Sequence, residues 1–410
     1  MRILFVTWSA PGHFNPMVPL ARACLAVGHE VRVAGPPSCR NPIVSAGLPA
    51  VVCGEDVDLS AIPTDGRLRA WDEPESWPMG WPQRPGLLGP AQTDALDCAA
   101  DRQVVVAEAM LPQLIAFGRW WGADLVVADP LTFAGPVAAA ALGVPLVSHG
   151  WEIGTVLHAE RAGRGVHYRE GYAQLFRSRG LEPQPASRVL VDPCPPSLVA
   201  GGEGVVRRVP IRHQSYTGSG AVPSWLVEPR ERRRICLTGG IATGKIDGGQ
   251  AKRVLADLIE LTGDLDAEIL LAGEQGTTAE PLPPRVREIG LVPFSLLLPS
   301  CDAVVHHGGT GTALCAVAAG VPQVVVPRSP IYGEVGHQIA AAGAGRVLPA
   351  GAERAALTSA IEEVLTDSRY PKALAGLRRE IEDAPTPAAV AERLPEVAEA
   401  AAGARVGEPV

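Results

Sequence analysis

Apolar residues along the 410-residue chain fall into short solid runs, set apart by Pro/Gly turns and by stretches with helical spacing. Residues 3–7 form such a run, residues 9–14 a turn, and residues 17–27 carry helical spacing that stops at Gly28. Asn15 is a good N-cap and Pro16 suits a first helical position, so the helix is predicted to start there. Strands are predicted at residues 31–34 and 125–128, the latter ending at Asp129. An alanine-rich helix then leads to Gly143, and another strand follows at 146–148. Strands alternating with helices imply a parallel sheet covered on both faces.

The regularity lapses over residues 55–100 and 152–200, apart from a helix expected around 168–177. Residues 215–223 are turn-rich, and a second round of strand-helix units follows. It comprises a strand at 234–238, a turn at 239–248, a helix at 250–262, and strands at 268–272, 303–306 and 323–327. The last forty residues read as helical, interrupted at Pro385 and Pro387. The expectation is an α/β chain with two Rossmann-like domains facing a central cleft: residues 1–220, then 221–375. A helical segment, 376–410, packs back on the first domain. In such sheets ligands bind at the carboxyl ends of the strands, so the strand-to-helix turns are where chemistry is sought.

Composition narrows the classes. A chain of this length exceeds one ordinary core, and 47% hydrophobic with 20% charged residues fits a compact enzyme. The net charge is -8, and the short basic cluster at residues 230–234 sits beside Glu228 and includes Glu231. Nucleic acid is therefore excluded as a partner, since phosphate-backbone binding needs a sustained positive surface. Eight cysteines without a CxxC pair suggest reduced thiols in a cytoplasm. The apolar start is too short for a signal peptide and reads as a buried strand. No stretch approaches the ~18 apolar residues of a membrane span.

Two turns carry candidate chemistry. His307-Gly308-Gly309-Thr310-Gly311-Thr312 leads from a strand into an apolar helix. Glycines let backbone amides approach a ligand, and amides at a helix N-terminus make an anion site. The same glycines would also serve an ordinary packed turn. The spacing is not that of a dinucleotide fingerprint. Gly239–Lys245 meets GxxxxGK, but Ile246 stands where a phosphate-binding loop needs Ser or Thr for magnesium. Lys245 is then a solvent or phosphate-rim residue. In the first half, His13 lies in Pro11-Gly12-His13 at the cleft end of the first strand. Asp129 ends another strand on the same side, where a carboxylate could fix the imidazole tautomer. His29, at the far end of its strand, reads as structural.

Residues 301–320, CDAVVHHGGTGTALCAVAAG, followed by VPQVVVP, resemble the donor-binding signature of family-one glycosyltransferases of the two-domain, GT-B kind. The likeness is to the bacterial branch that attaches deoxysugars to polyketide and other antibiotic aglycones. It extends through GHFNP near the start, YTGSGAVPSWL, and EIEDAPTPAAVAERL. The resemblance implies that His307, Gly309, Thr310, Gly311 and Thr312 hold the nucleotide diphosphate, with Gly240 facing it from the other side. It places Leu291 and Val292 along the nucleotide base. It makes His13 and Asp129 the catalytic pair of an inverting transfer, with His13 the base.

The family often carries an Asp-Gln pair on the sugar hydroxyls; the matching positions here are Ile331 and Tyr332. Either the donor sugar is poor in hydroxyls, as a di- or trideoxyhexose on dTDP would be, or Glu334 and His337 contact it instead. The expectation is a dTDP-deoxysugar lying against Ile331, Tyr332 and Glu334, with UDP as the other nucleotide. Trp71, Trp77, Trp81, Phe133, His149 and Trp151, with Glu152 beside them, are candidate contacts for a hydrophobic aglycone. The triplets Asp56-Val57-Asp58 and Asp264-Leu265-Asp266 read as solvated turns, so no metal is expected. No cofactor is implied beyond the nucleotide sugar as co-substrate. The rival readings are a sugar-nucleotide epimerase of the same fold and a non-catalytic activator subunit. The resemblance also leaves room for a homodimer or a helper protein.

Overall fold

A computed structural model describes residues 1–403 apart from 83, 152, 154–158, 163–166, 187, 200–205, 241–258, 260–264, 274–281 and 350. The first strand, β1 (Arg2–Val6), has Ile3, Leu4, Phe5 and Val6 wholly buried. Burial on both faces is why it reads as a solid apolar run rather than an alternation. It is followed by β2 (Glu30–Gly35), β3 (Ala50–Val52), β4 (Leu125–Ala128) and β5 (Leu146–His149). A separate antiparallel ribbon is made of β6 (Arg161–Ala162) and β7 (His167–Tyr168). With β8 (Val189–Asp192) and β9 (Arg207–Pro210) the main strands form a seven-stranded parallel sheet, ordered β3-β2-β1-β4-β5-β8-β9.

The second sheet has six parallel strands: β10 (Arg233–Thr238), β11 (Ala267–Ala272), β12 (Val286–Gly290), β13 (Ala303–His306), β14 (Gln323–Val325) and β15 (Gly345–Val347). Their order is β12-β11-β10-β13-β14-β15. In both sheets the strand order reverses beside the first strand of that half, between β1 and β4 and between β10 and β13. Those reversals open the crevices where ligands settle in such folds.

Two local readings are corrected. The first helix begins at Pro11, not at Asn15-Pro16. It runs as Pro11–Phe14, a 3-10 turn Asn15–Met17, and Val18–Ala26. Pro11, Pro16 and Pro19 each sit at the start of one of these pieces, where a missing N–H costs nothing. Three prolines therefore signal three starts, and the periodicity favoured a late one. The second correction is Pro90–Trp121, a 32-residue helix that reaches back into the stretch read as irregular. Its first turns are rich in Ala, Asp and Gln, and Pro112 lies inside it, so the hydrophobic period is diluted. The helix expected near 168–177 is Glu170–Arg177. The turn and helix read at 239–262 lie outside the described residues except Gly239, Gly240 and Ile259, and Lys245, Glu152 and Asp264 are also outside them.

The last two helices, Pro387–Glu392 and Leu394–Gly403, cross to the first half. Val390, Ala391, Leu394, Val397 and Ala401 join one buried cluster with Ile3, Phe5, Val18 and Leu125. His29 fastens this contact structurally, its Nε2 lying 3.0 Å from the Ala391 carbonyl. This C-terminal strap is also tied to the first half at Arg212, whose backbone N–H donates to the Pro385 carbonyl at 2.7 Å.

Leu394 is wholly buried in that cluster. Leu394→Ala should cost about 2–5 kcal/mol through lost burial and a cavity. A urea unfolding midpoint equal to wild type would show that the C-terminal strap does not support the first sheet.

Candidate active site

Parallel pairing sets Val6 opposite Ala128 in register, so the turn after β1 and the turn after β4 emerge side by side. His13 and Asp129, 116 residues apart in sequence, thereby meet with Nδ1 2.9 Å from Oδ1. The Asp129 side chain has no solvent exposure, whereas His13 keeps 13%. Burying a carboxylate demands donors. Asp129 has three: His13, the Leu131 backbone N–H at 2.9 Å, and the Thr132 hydroxyl. A carboxylate only accepts, so the bonded Nδ1 of His13 carries the proton and Nε2 keeps a lone pair. That tautomer is the one able to take a proton from an incoming group.

The imidazole is also held by packing. Trp151 stacks on it at 4.8 Å between centroids and 29° between planes; Trp8 tilts against it at 4.9 Å and 55°. Trp151, expected as an aglycone wall, thus supports His13. Trp8 was missed, although its place at the end of β1, two residues before Ala10-Pro11, was a signal. Two further expected acceptor contacts lie in the core. Phe133 is 1% exposed and packs edge-on against Tyr172. His149 is 1% exposed and donates from Nδ1 to the Gly150 carbonyl at 2.8 Å. Burial lowers its pKa to about 4, against the opposing pull of that carbonyl and of Asp129.

The second half repeats the geometry. β10 pairs with β13 with Thr238 opposite His306, so Gly240 and His307 converge. A Cβ on Gly240 would lie 2.9 Å from the His307 Nε2, and one on Gly309 would lie 2.7 Å from it. The ring therefore fills the space that both glycines vacate. Gly308 has φ +99°, and a Cβ there would meet the Tyr332 carbonyl oxygen at 2.6 Å. The helix Thr310–Ala319 starts at Gly309 with no side chain capping it, which leaves the first amides of a full-length helix uncapped. Thr310 and Thr312 are buried, while Gly311 is exposed. This end of the cleft suits an anion.

Two buried neighbours shape the turn and were not singled out from the sequence. The Gly308 N–H donates to His306 Nδ1 at 3.1 Å, and His306 Nε2–H donates to Gln323 Oε1 at 2.9 Å. Gln323 in turn donates to the Ala313 carbonyl at 3.2 Å. His306 is thus a neutral spacer between strand, turn and helix, its pKa lowered to about 4 by burial. His307 is lowered to about 3, first by burial, then by His306, with Arg328 adding to it and the Thr238 backbone opposing. At neutral pH it offers a polar ring but no charge.

Contacts join the two halves at these turns. The Ile153 N–H donates to Thr310 Oγ1 at 3.3 Å, and Ile153 packs with Ala313 and Leu314. Trp151 and Ile153 thus touch His13 and Thr310 respectively. Leu291 is 58% exposed just after β12, with Val292 half-buried beside it. Trp77 and Trp81 are buried against each other at 4.9 Å, with Trp71 edge-on to Trp77. Ile331 packs on that tryptophan group. Tyr332 stands edge-on to His307 at 4.7 Å. Glu334, expected near a sugar, is 3% exposed, and both its oxygens are engaged by protein groups. The acidic triplets sit apart: Asp56 accepts from Ser38 N–H, Asp58 caps Ser60, and Asp266 lies near Arg232 and Arg285. Among the described residues no helix is long and apolar enough to cross a membrane.

Residues 22–240 match the family model "Erythromycin biosynthesis protein CIII-like, N-terminal domain" and residues 256–397 match its C-terminal counterpart. An aclacinomycin-T 2-deoxy-L-fucose transferase of Streptomyces galilaeus is 34% identical over 80% of this chain and 79% of its own. A 10-deoxymethynolide desosaminyltransferase of Streptomyces venezuelae is 32% identical over 97% of both. The crystal structure of the Streptomyces sp. SF2575 glycosyltransferase SsfS6, complexed with thymidine diphosphate, superposes with a TM-score of 0.75. Its identity is 28%, covering 97% of this chain and 99% of that one.

The buried histidines give the fold a pH dependence. His149, His213 and His306 have pKa values near 4 and His307 near 3, against 6.5 for a free imidazole, all chiefly through burial. Below 6.5 the unfolded chain binds protons that the folded chain refuses. Their contribution is therefore complete above that pH and lost progressively as pH falls toward 4. The urea midpoint should drop between about pH 7.5 and about pH 5; an unchanged midpoint would show that the fold does not hold these rings neutral.

Proposed function

The chain belongs to the erythromycin biosynthesis protein CIII-like family and is a GT-B glycosyltransferase, and from that premise we propose a metal-independent, inverting transfer of a deoxysugar from dTDP to a hydroxyl of a hydrophobic polyketide aglycone. The observation that carries it is the His13–Asp129 pair: a buried carboxylate holds the imidazole in its Nδ1–H tautomer, and only the imidazole reaches solvent. His13 Nε2 takes the acceptor hydroxyl proton as that oxygen attacks the anomeric carbon. The bond from that carbon to the diphosphate oxygen breaks as the new bond forms, and one displacement inverts the centre. Asp129 stabilises the imidazolium during the step. The leaving diphosphate gathers on the uncapped amides at residues 310–312, with His307, Gly309 and Gly240 shaping the pocket.

A dTDP donor is supported by the thymidine diphosphate complex of the related SsfS6. A deoxysugar is supported by what stands where hydroxyl contacts would be: Ile331 packs on tryptophans, Tyr332 packs on His307, and Glu334 is already hydrogen-bonded. Leu291 and Val292 offer an exposed apolar edge for the base. Metal independence is supported by the acidic triplets, whose described members are bound to local backbone or near arginines.

Purified protein given a panel of nucleotide sugars and hydrophobic aglycones, followed by mass spectrometry, tests the whole reading. Turnover should favour dTDP-deoxysugars and survive chelation; equal or better turnover with UDP-glucose would overturn the donor assignment. His13→Ala should lose transfer by about 100-fold or more while keeping dTDP affinity. Lost nucleotide affinity with surviving turnover would overturn the role of His13. Gly240→Ala should do the converse, weakening dTDP binding, because its Cβ intrudes on the His307 ring.

A further inference from the structure

The helix Pro330–Ala341 lies next to the diphosphate turn, yet two of its side chains point to a loop of the other half. Ile331 packs into the group formed by Trp77, Trp81 and Ala95, with Trp71 at its margin. One turn further, Glu334 accepts the Gly80 backbone N–H at Oε2, 2.9 Å, across 254 positions of sequence. Its Oε1 accepts from Gln338 Nε2 at 2.8 Å, which fixes the carboxylate on its own helix. A carboxylate 3% exposed gains no stabilisation from water, so losing the Gly80 amide would leave an oxygen uncompensated.

Gly80 itself is specified by its backbone conformation. It has φ +72°, a conformation that favours glycine, and Arg84 braces the same turn by donating to the Met79 carbonyl at 2.8 Å. Trp77 is tied down independently, its Nε1 donating to the Ala70 carbonyl at 2.7 Å. The loop is thus internally ordered but held to the second half by Glu334 and Ile331. On the same helix Tyr332 rests edge-on against His307, between those two anchors. The tryptophan group and the turn at 307–312 therefore both rest on one helix.

We propose that Glu334 is a positioning residue that docks the tryptophan loop at residues 71–81 onto the donor-side helix and so sets acceptor recognition. This rests on the glycosyl-transfer reading above. Glu334 touches neither reacting group; it acts through the Gly80 amide. One turn beyond Ile331 and Tyr332, its carboxylate is committed to protein groups rather than offered to a sugar.

The test compares full-length wild type, Glu334→Ala and Glu334→Gln, reading hydrogen exchange of the segment around Gly80, dTDP affinity, and acceptor KM against kcat. Glu334→Ala should speed exchange at residues 77–81 by about tenfold or more, the scale of a hydrogen bond to a charged group. Acceptor KM should rise by about tenfold while dTDP affinity and kcat stay near wild type. Glu334→Gln, which keeps the shape and one carbonyl acceptor, should fall between. Wild-type exchange in Glu334→Ala overturns the docking, and faster exchange with unchanged acceptor KM overturns the role in recognition. Should wild type transfer no sugar at all, the glycosyl-transfer reading fails, and the exchange measurement still decides whether Glu334 docks the loop.

Discussion

The structure depends on two parallel pairings, β1 with β4 and β10 with β13. In each, the first strand of a half lies beside a strand formed much later, with Val6 opposite Ala128 and Thr238 opposite His306. Each pairing is the point where the strand order reverses, and neighbouring connections leave it toward opposite faces. The chain leaving β1 then meets the chain leaving β4, which makes the His13–Asp129 contact. The chain leaving β10 meets the chain leaving β13, which seats His307 between Gly240 and Gly309. Both halves solve one geometric problem, and each site component is the local answer.

Burial decides what those components can do. Asp129 is sealed from water but has three donors, so its charge is compensated and its pull on His13 is undiluted. His13 lies between two indoles, so its orientation is fixed by packing as well as by hydrogen bonding. The second half uses the opposite device. His306 and His307 are buried and neutral, serving as shaped polar spacers beside a helix start that no side chain caps. His306 and His307 have their protonation suppressed by the low-dielectric interior, while His13 keeps one face toward solvent.

The halves are joined at the same turns. Trp151 contacts His13, and Ile153, two residues on, donates to Thr310. Ile331 and Glu334 reach back in the other direction to the tryptophans and Gly80. The final helices cross over and bury Leu394 against the first sheet. A displacement at any of these contacts changes the distance between His13 on one side and the turn at 307–312 on the other.

The sequence by itself determined eight of the sheet strands, β1, β2, β4, β5, β10, β11, β13 and β14, because buried parallel strands are solid apolar runs. It did not show β3, β8, β9, β12 and β15, which are short, partly exposed or set in stretches without a regular pattern. Glycine, proline and histidine at strand ends marked two turns as the places to look. His13, Asp129 and the turn at 307–312 were legible for that reason, as was the structural role of His29. The 32-residue helix was not, since alanine, charged residues and Pro112 blur its period. Nor was the helix start at Pro11, since three prolines each satisfy the same local rule. Tertiary structure alone decided the fate of side chains whose type suits both core and cleft. Phe133 and His149 went to the core, Trp151 to His13, and Glu334 to a backbone amide 254 residues away. An aromatic ring or a carboxylate carries no local signal of its partner, because the partner is chosen by which strands and helices pack together.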